Sequence, residues 1–222
     1  NARLIGDESL SKRPMERIVT PLSKMGLNIK SNNGKLPILI KNSRIKGIDY
    51  KNTMSSAQVK SAVLFCGLGT RDTTSYYEPV KSRNHTEIML KNVGFDIKYN
   101  NGKIILRNSN SMIKGLDITI PGDPSTASFF AAAALILPKS ELILKNILAN
   151  PTRFGFFDAI NRMGANIEFL SSWMESGEKV KNIKIKNGPL NPIKIDHEHI
   201  PSIIDEIPII SIVASQADGK TE

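Results

Sequence analysis

Gly26-Leu27-Asn28-Ile29-Lys30-Ser31-Asn32-Asn33-Gly34-Lys35 opens a 24-residue stretch, Gly26–Asp49, that the chain writes a second time as Gly94–Asp117. A shift of 68 residues superimposes the two, and 13 of the 24 positions are identical. Among them are Ile29/Ile97, Asn32-Asn33-Gly34-Lys35 over Asn100-Asn101-Gly102-Lys103, and Ile45-Lys46-Gly47 over Ile113-Lys114-Gly115. A third, looser copy begins at Met163-Gly164 and reaches Asp196, with an insertion around Trp173 to Lys179. Self-similarity at a fixed period marks one supersecondary unit used repeatedly, and it governs every later assignment.

Each copy has the same grammar. Apolar residues at i, i+3, i+4 spacing predict helices over Arg13–Met25, Thr86–Val93 and Gly155–Met163. Each stops at a glycine, where a positive φ costs little. Pro21 removes an i→i−4 bond and is expected to kink or end the first of them. A hairpin follows, as in Asp96–Tyr99 and Lys103–Arg107 around Asn-Gly. A third strand (Gly115–Ile120 in the second copy) leads into a second, largely buried helix: Ser56–Leu68, Ser125–Leu137 and Glu206–Gln216. Another strand, such as Glu141–Lys145, is expected after each. The result is an α/β module of strand–helix–strand–helix–hairpin type, about 70 residues long by the repeat.

The chain has 222 residues, 40% hydrophobic and 23% charged, which excludes wholesale disorder. Its longest apolar run, Phe129–Leu137, ends at Pro138, too short to span a bilayer and alanine-rich enough to read as a buried helix. One cysteine, Cys66, excludes an internal disulfide framework and lies in an apolar helix, where packing is its expected role. No basic-then-apolar leader opens the sequence, so a cytoplasmic protein is expected.

The net charge of +9 is unevenly spread. Residues 1–120 carry 20 basic and 9 acidic side chains, a net +11; residues 121–222 carry 10 and 12, a net −2. A basic half points to an anionic partner. The cations are scattered singly and aromatics make up only 6%, which speaks against nucleic acid and for small phosphorylated ligands. Ser55-Ser56-Ala57-Gln58, Asp123-Pro124-Ser125-Thr126 and Asp205-Glu206 place capping side chains at helix starts. Each fits ordinary capping or an anion site, and the charge around Ser56 favours the second there.

Several motifs then resemble one family. Gly6-Asp7-Glu8-Ser9-Leu10-Ser11-Lys12-Arg13-Pro14-Met15, Ser56-Ala57-Gln58-Val59-Lys60 and Ser82-Arg83-Asn84-His85-Thr86-Glu87 resemble enolpyruvylshikimate phosphate synthases. Pro121-Gly122-Asp123-Pro124-Ser125, Asn150-Pro151-Thr152-Arg153 and Ile200-Pro201 through Asp205-Glu206 continue the match in the family's order. The S-A-Q-x-K, R-x-H-T-E and N-x-T-R forms are those of the family's second, glyphosate-tolerant class. The resemblance covers essentially the whole chain. It implies a two-domain enolpyruvyl transferase fold of repeated βαβαββ modules, an inside-out α/β barrel, with residues 1–121 in the first, shikimate-phosphate-binding domain and 122–222 in the second. The family has about twice this length, and its lysine–serine–arginine and V-K-E-S-D-R-like segments are not in this chain. The 222 residues alone are therefore expected to be inactive.

The activity implied is transfer of the enolpyruvyl group of phosphoenolpyruvate to the 5-hydroxyl of shikimate 3-phosphate, with release of phosphate, by a cytoplasmic protein monomeric at full length and without cofactor, metal, nucleic acid or membrane. Arg13 matches the family arginine on phosphoenolpyruvate, and Ser56 the serine on the 3-phosphate. Ala57 stands where other members have a second serine and offers only its backbone N–H. Gln58 matches the glutamine between the ligands; Arg83 resembles the second class's extra phosphate-binding arginine, and Ser82 aligns with a phosphate-contacting serine of the other class. Asp205 matches the proton acceptor at the 5-hydroxyl. As a helix-start residue it is also expected to cap.

His197-Glu198-His199 could seed a metal site but has no third ligand at a convincing spacing. Trp173 reads as a surface or hairpin packing residue. Two other readings stay open on the residues alone: a UDP-N-acetylglucosamine enolpyruvyl transferase, which the R-x-H-T-E and S-A-Q-x-K forms disfavour, and a non-catalytic phosphate-binding module.

Overall fold

A computed structural model describes residues 1–107 and 113–222; positions 108–112 of the second repeat copy lie outside the described residues. The chain forms two compact units, Asn1–Lys81 with His85–Gly115, and Ser82–Asn84 with Leu116–Glu222.

The first unit runs β1 (Ala2–Leu4), α1 (Glu8–Ser11), α2 (Glu16–Lys24), β2 (Asn28–Asn32), β3 (Lys35–Lys41), β4 (Asp49–Lys51), α3 (Ala57–Gly67), β5 (Thr74–Tyr77), α4 (His85–Asn92), β6 (Asp96–Asn100) and β7 (Lys103–Arg107). One sheet has the order β1-β3-β2 and is antiparallel; the other, β4-β5-β7-β6, has its single parallel pair at β4–β5. Val19, Met25, Ile38, Val63, Leu64, Tyr76, Leu90, Ile104 and Leu106 form its buried core.

The second unit contains α5 (Pro124–Ile136), β8 (Glu141–Leu148), α6 (Gly155–Arg162), β9 (Asn166–Glu175), β10 (Glu178–Lys186), a 3₁₀ turn at His197–His199, α7 (Ile200–Ile203) and α8 (Ile207–Ala214). Its antiparallel sheet is ordered β8-β10-β9. Phe156, Phe157, Ile160 and Met163 place the apolar face of α6 into a core shared with Leu135, Ile183, Ile185 and Val213.

The repeat is visible bond by bond. After α2, α4 and α6 the chain turns at Gly26, Gly94 and Gly164, with φ of 90°, 105° and 75°. The next residue then donates back to the helix: Leu27 to Leu22 O (3.1 Å), Phe95 to Leu90 O (3.0 Å) and Ala165 to Ile160 O (3.0 Å). That is the Schellman pattern, which only glycine enters without a Cβ penalty. The hairpin turns Asn33-Gly34, Asn101-Gly102 and Ser176-Gly177 all have two successive positive φ values, the handedness that suits strand twist. The insertion of the third copy lengthens β9 and β10, and Trp173 sits in that hairpin opposite Val180.

Five expectations change. The first helix begins at Glu16 rather than Arg13, because Pro14 disfavours helical backbone in the residue before it. Pro21 does not end that helix: Met25 still donates to Pro21 O at 3.1 Å, and the helix continues to Lys24 with Pro21 buried. No strand forms over 115–120; the segment is exposed throughout, and beyond it Gly122 makes an isolated parallel bridge with Ile147 of β8. After α8, only Glu222 engages Ile193 and Ile195 through backbone bonds of 3.0 and 2.7 Å, without a strand. The long apolar helix is also buried on one side only. Ala131, Ala132 and Leu135 of α5 are inside, whereas Phe129, Phe130 and Leu137 are about 60% exposed at 60%, 61% and 58%.

Asp123 caps α5, accepting from the Thr126 N–H and hydroxyl, both at 2.9 Å, with Arg153 at 2.7 Å. Burial works to raise its pKa, but these hydrogen bonds and the Arg153 charge outweigh it and the pKa is lowered. A lowered carboxylate pKa stabilises the fold above the unfolded value of about 3.9 and loses that contribution as pH falls through the folded value. Asp123→Ala should therefore cost about 1 kcal/mol near neutrality. Denaturant unfolding should show the difference shrinking below about pH 4; a loss independent of pH would contradict this account.

Candidate functional site

In the first unit, the motif around Arg13 forms an open cleft. Asp7 caps α1 by accepting from Leu10 N at 2.7 Å, and Lys12 pairs with Glu8 at 2.6 Å. Asp7, Glu8, Ser9, Lys12, Arg13 and Pro14 line the cleft. Arg13 is exposed there, and among the described residues its guanidinium has no protein partner. A planar cation held open in this way suits a carboxylate or phosphate.

Ser56 occupies the N-cap of α3, its Oγ accepting from Val59 N at 3.4 Å, a long cap that leaves the hydroxyl proton available. The first turn contains Ala57 and Gln58 and no acidic residue. The backbone entering it is anchored from below. Asn52 donates to the Tyr76 hydroxyl at 2.7 Å, and Tyr76 donates to Ser56 O at 3.4 Å. Burial, the leading cause, pushes the Tyr76 pKa up to about 12, so the phenol remains a donor near neutrality. Ser55 bridges to Val80, accepting from its N–H at 3.0 Å. A helix N-terminus with a hydroxyl and free N–H groups favours an anion.

Beneath this turn lies a buried charge cluster. Lys60 has no exposed surface and sits 3.1 Å from Glu78 and 2.8 Å from Glu87. It ties α3 to the end of β5 and to α4. In the sequence Lys60 stands only as the last residue of the S-A-Q-x-K motif. The signal was there: Lys60 shares a helical face with Val63, Leu64 and Gly67, and a lysine on a buried stripe requires a partner. Cys66, on the same helix, is half-buried against this core, and burial pushes its thiol pKa up.

In the second unit, Ser82 is buried and Arg83 donates to Asp205. Arg83 and Asp205, 122 apart in sequence, are two expected site residues brought into direct contact. Asp205 does not cap a helix, contrary to expectation. It stands in the turn between α7 and α8, and the N-cap position of α8 belongs to Glu206, which makes no capping bond. The carboxylate is turned to Arg83, a stronger partner than a backbone N–H. Arg13, Ser56, Ala57 and Gln58 belong to the first unit, and Ser82, Arg83 and Asp205 to the second.

The neighbours of Arg83 and Asp205 are also held. Asn150, 2% exposed, donates to Asn84 Oδ1 at 2.8 Å and to Glu178 at 2.7 Å, while accepting from Thr152 N at 2.9 Å. Arg153 donates to Ser125 Oγ at 2.6 Å, and Ser125 donates to the buried Glu206. Asn150 and Arg153 stand in family-like motifs without an expected role of their own, and Glu206, expected to cap, accepts from Ser125 instead. His197–His199 form the 3₁₀ turn ahead of α7; among the described residues no three His, Cys, Asp or Glu side chains are grouped to hold a metal. Among them, too, no helix is long and apolar enough to cross a membrane.

Comparisons with known proteins converge. The family model of EPSP synthase (3-phosphoshikimate 1-carboxyvinyltransferase) matches residues 1–222. A 3-phosphoshikimate 1-carboxyvinyltransferase of Endomicrobium trichonymphae is 47% identical over 219 residues, covering 98% of this chain and 51% of that protein. One from Sulfurihydrogenibium sp. (strain YO3AOP1) is 44% identical, covering 99% and 52%. The structure of EPSP synthase from Acinetobacter baumannii superposes with a TM-score of 0.88 at 38% identity, over 99% of this chain and 50% of that one. The enolpyruvyl transferase NikO from Streptomyces tendae, 17% identical with a TM-score of 0.74, shares the fold. The chain spans about half the length of the curated relatives it matches.

Proposed function

Because the chain belongs to the EPSP synthase (3-phosphoshikimate 1-carboxyvinyltransferase) family, we propose that it supplies part of the active site for enolpyruvyl transfer from phosphoenolpyruvate to shikimate 3-phosphate. The observation that carries this reading is the Arg83–Asp205 contact, which sets a cation for phosphate beside a base for a hydroxyl.

The reaction is an addition followed by an elimination. The methylene carbon of phosphoenolpyruvate gains a proton, and the 5-hydroxyl oxygen bonds to the adjacent carbon as Asp205 accepts the hydroxyl proton. The tetrahedral intermediate then loses a proton from the new methyl group and breaks its bond to the phosphate oxygen, restoring the double bond and releasing phosphate. Arg13 holds phosphoenolpyruvate. Ser56, the Ala57 N–H, Ser82 and Arg83 take the 3-phosphate, and Gln58 lies between the ligands. When phosphate engages Arg83, the Asp205 carboxylate is left facing the hydroxyl it must deprotonate. Cations and oriented N–H groups around developing charge supply the largest share of such a rate enhancement. The proposal carries with it a soluble cytoplasmic monomer serving aromatic amino-acid biosynthesis, without nucleic acid, which the singly scattered cations support.

A phosphate-release assay on the complete gene product tests the reading. Release should require both substrates, and Ser56→Ala should raise KM for shikimate 3-phosphate about tenfold, the usual order for one hydrogen bond to a charged group. Release with UDP-N-acetylglucosamine in place of shikimate 3-phosphate, or none with the pair, would sink it.

A further inference from the structure

Arg83 and Asp205 come from distant parts of the sequence, yet the residue following each is tied to the same four-residue loop. Asn84, next to Arg83, accepts from Asn150 at one end of that loop, at 2.8 Å. Glu206, next to Asp205, accepts from the Ser125 hydroxyl, which itself accepts from Arg153 at the other end at 2.6 Å. Both connections are sheltered: Asn150 is 2% exposed and Glu206 3%. Loop and partners are stiffened as well. Asn150 Oδ1 accepts from Thr152 N at 2.9 Å, and Arg153 is braced against Asp123 at 2.7 Å. The donor order is consistent along the second path, since the single Ser125 proton goes to Glu206 and its lone pair faces Arg153.

From this arrangement we infer that the Asn150–Arg153 loop is a positioning device for both members of the Arg83–Asp205 pair, acting on Arg83 through Asn84 and on Asp205 through Ser125 and Glu206. In this role they act through the backbone rather than as substrate ligands. They fix the backbone on which the phosphate-binding and proton-accepting groups stand, and small misplacements of such groups carry large rate penalties. The two paths act on different kinetic constants. The Ser125–Glu206 path governs kcat, and the Asn150–Asn84 path governs KM for the phosphorylated acceptor.

The inference rests on the proposed reaction, and double-mutant cycles in the complete gene product separate the two. Ser125→Ala should lower kcat about tenfold in the native background and less than about twofold when Asp205 is already Asn, because an indirect effect vanishes once its target is gone. Ser125→Thr, which keeps the hydroxyl, should restore most of the loss. Asn84→Ala should raise KM for shikimate 3-phosphate about fivefold with Arg83 present and leave it unchanged in Arg83→Met. The Asn84 branch decides the matter if Ser125→Ala does not fold. Equal losses in both backgrounds would mean the loop only stabilises the fold, and would overturn the inference with the reaction intact. Normal turnover by Asp205→Asn would instead remove the proposed base, and the inference with it.

Discussion

Asp205→Ala in the complete gene product should lower kcat by about 10²–10⁴-fold while KM for both substrates stays within a few-fold, the range for loss of a general base. Asp205 stands in the turn between α7 and α8, about half exposed at 53%, and its one charged partner among the described residues is Arg83. Removing the carboxylate leaves Arg83 free to bind phosphate, so ground-state affinity has no reason to collapse. Asp205→Asn is the sharper control, since the amide can still accept from Arg83 but cannot take a proton at neutral pH. A kcat loss shared by both variants, with KM preserved, assigns proton transfer to this group. Turnover within about threefold of the native rate would exclude it from the chemistry.

The second large effect is on stability. Lys60→Met should destabilise the first unit by about 3–5 kcal/mol, because it strands carboxylates whose ammonium partner has gone. Burial decides the magnitude. Lys60 and Glu78 have no exposed side-chain surface, whereas Lys12 and Glu8, at 70% and 86% exposure, share their charge with water and contribute little. The combined change Lys60→Met, Glu78→Gln, Glu87→Gln should recover much of the loss, since no charge is then left uncompensated. Denaturant unfolding of both variants checks this. A single-variant loss below about 1 kcal/mol would show that the cluster is hydrated or rearranges freely.

Much of the architecture was legible because it depends on local rules. A glycine after an amphipathic helix and an Asn-Gly between alternating strands each specify a backbone conformation within a few residues, and the repeat supplied them more than once. The helix-ending glycines and hairpin turns accordingly stand at equivalent positions in all three copies. The misreadings share a different cause. The alternation of Leu116, Ile118 and Ile120 is that of a strand, but a strand exists only where a neighbour takes its N–H and C=O groups, and 115–120 has none among the described residues. Phe129 and Phe130 share a helix with buried alanines, and whether such a face is covered depends on what packs there.

The same division runs through the site. Arg13, Ser56, Gln58, Arg83 and Asp205 are expected at the site because they match the family's motifs in order. Lys60, Asn150 and Arg153 stand in those motifs and acquire roles only through their partners, and Glu206 exchanges an expected cap for a bond from Ser125. A hydrogen bond between Asn150 and Asn84, or an ion pair between Arg83 and Asp205, joins residues 66 and 122 positions apart, and no local rule couples them. The amino-acid sequence by itself determined the repeated module, its turns and its chemical inventory, because those follow from short-range sterics and residue type. Only the tertiary structure decided that Asp205 faces an arginine rather than capping a helix, and that one loop holds the chain beside both. Burial and partner choice are properties of the packed chain.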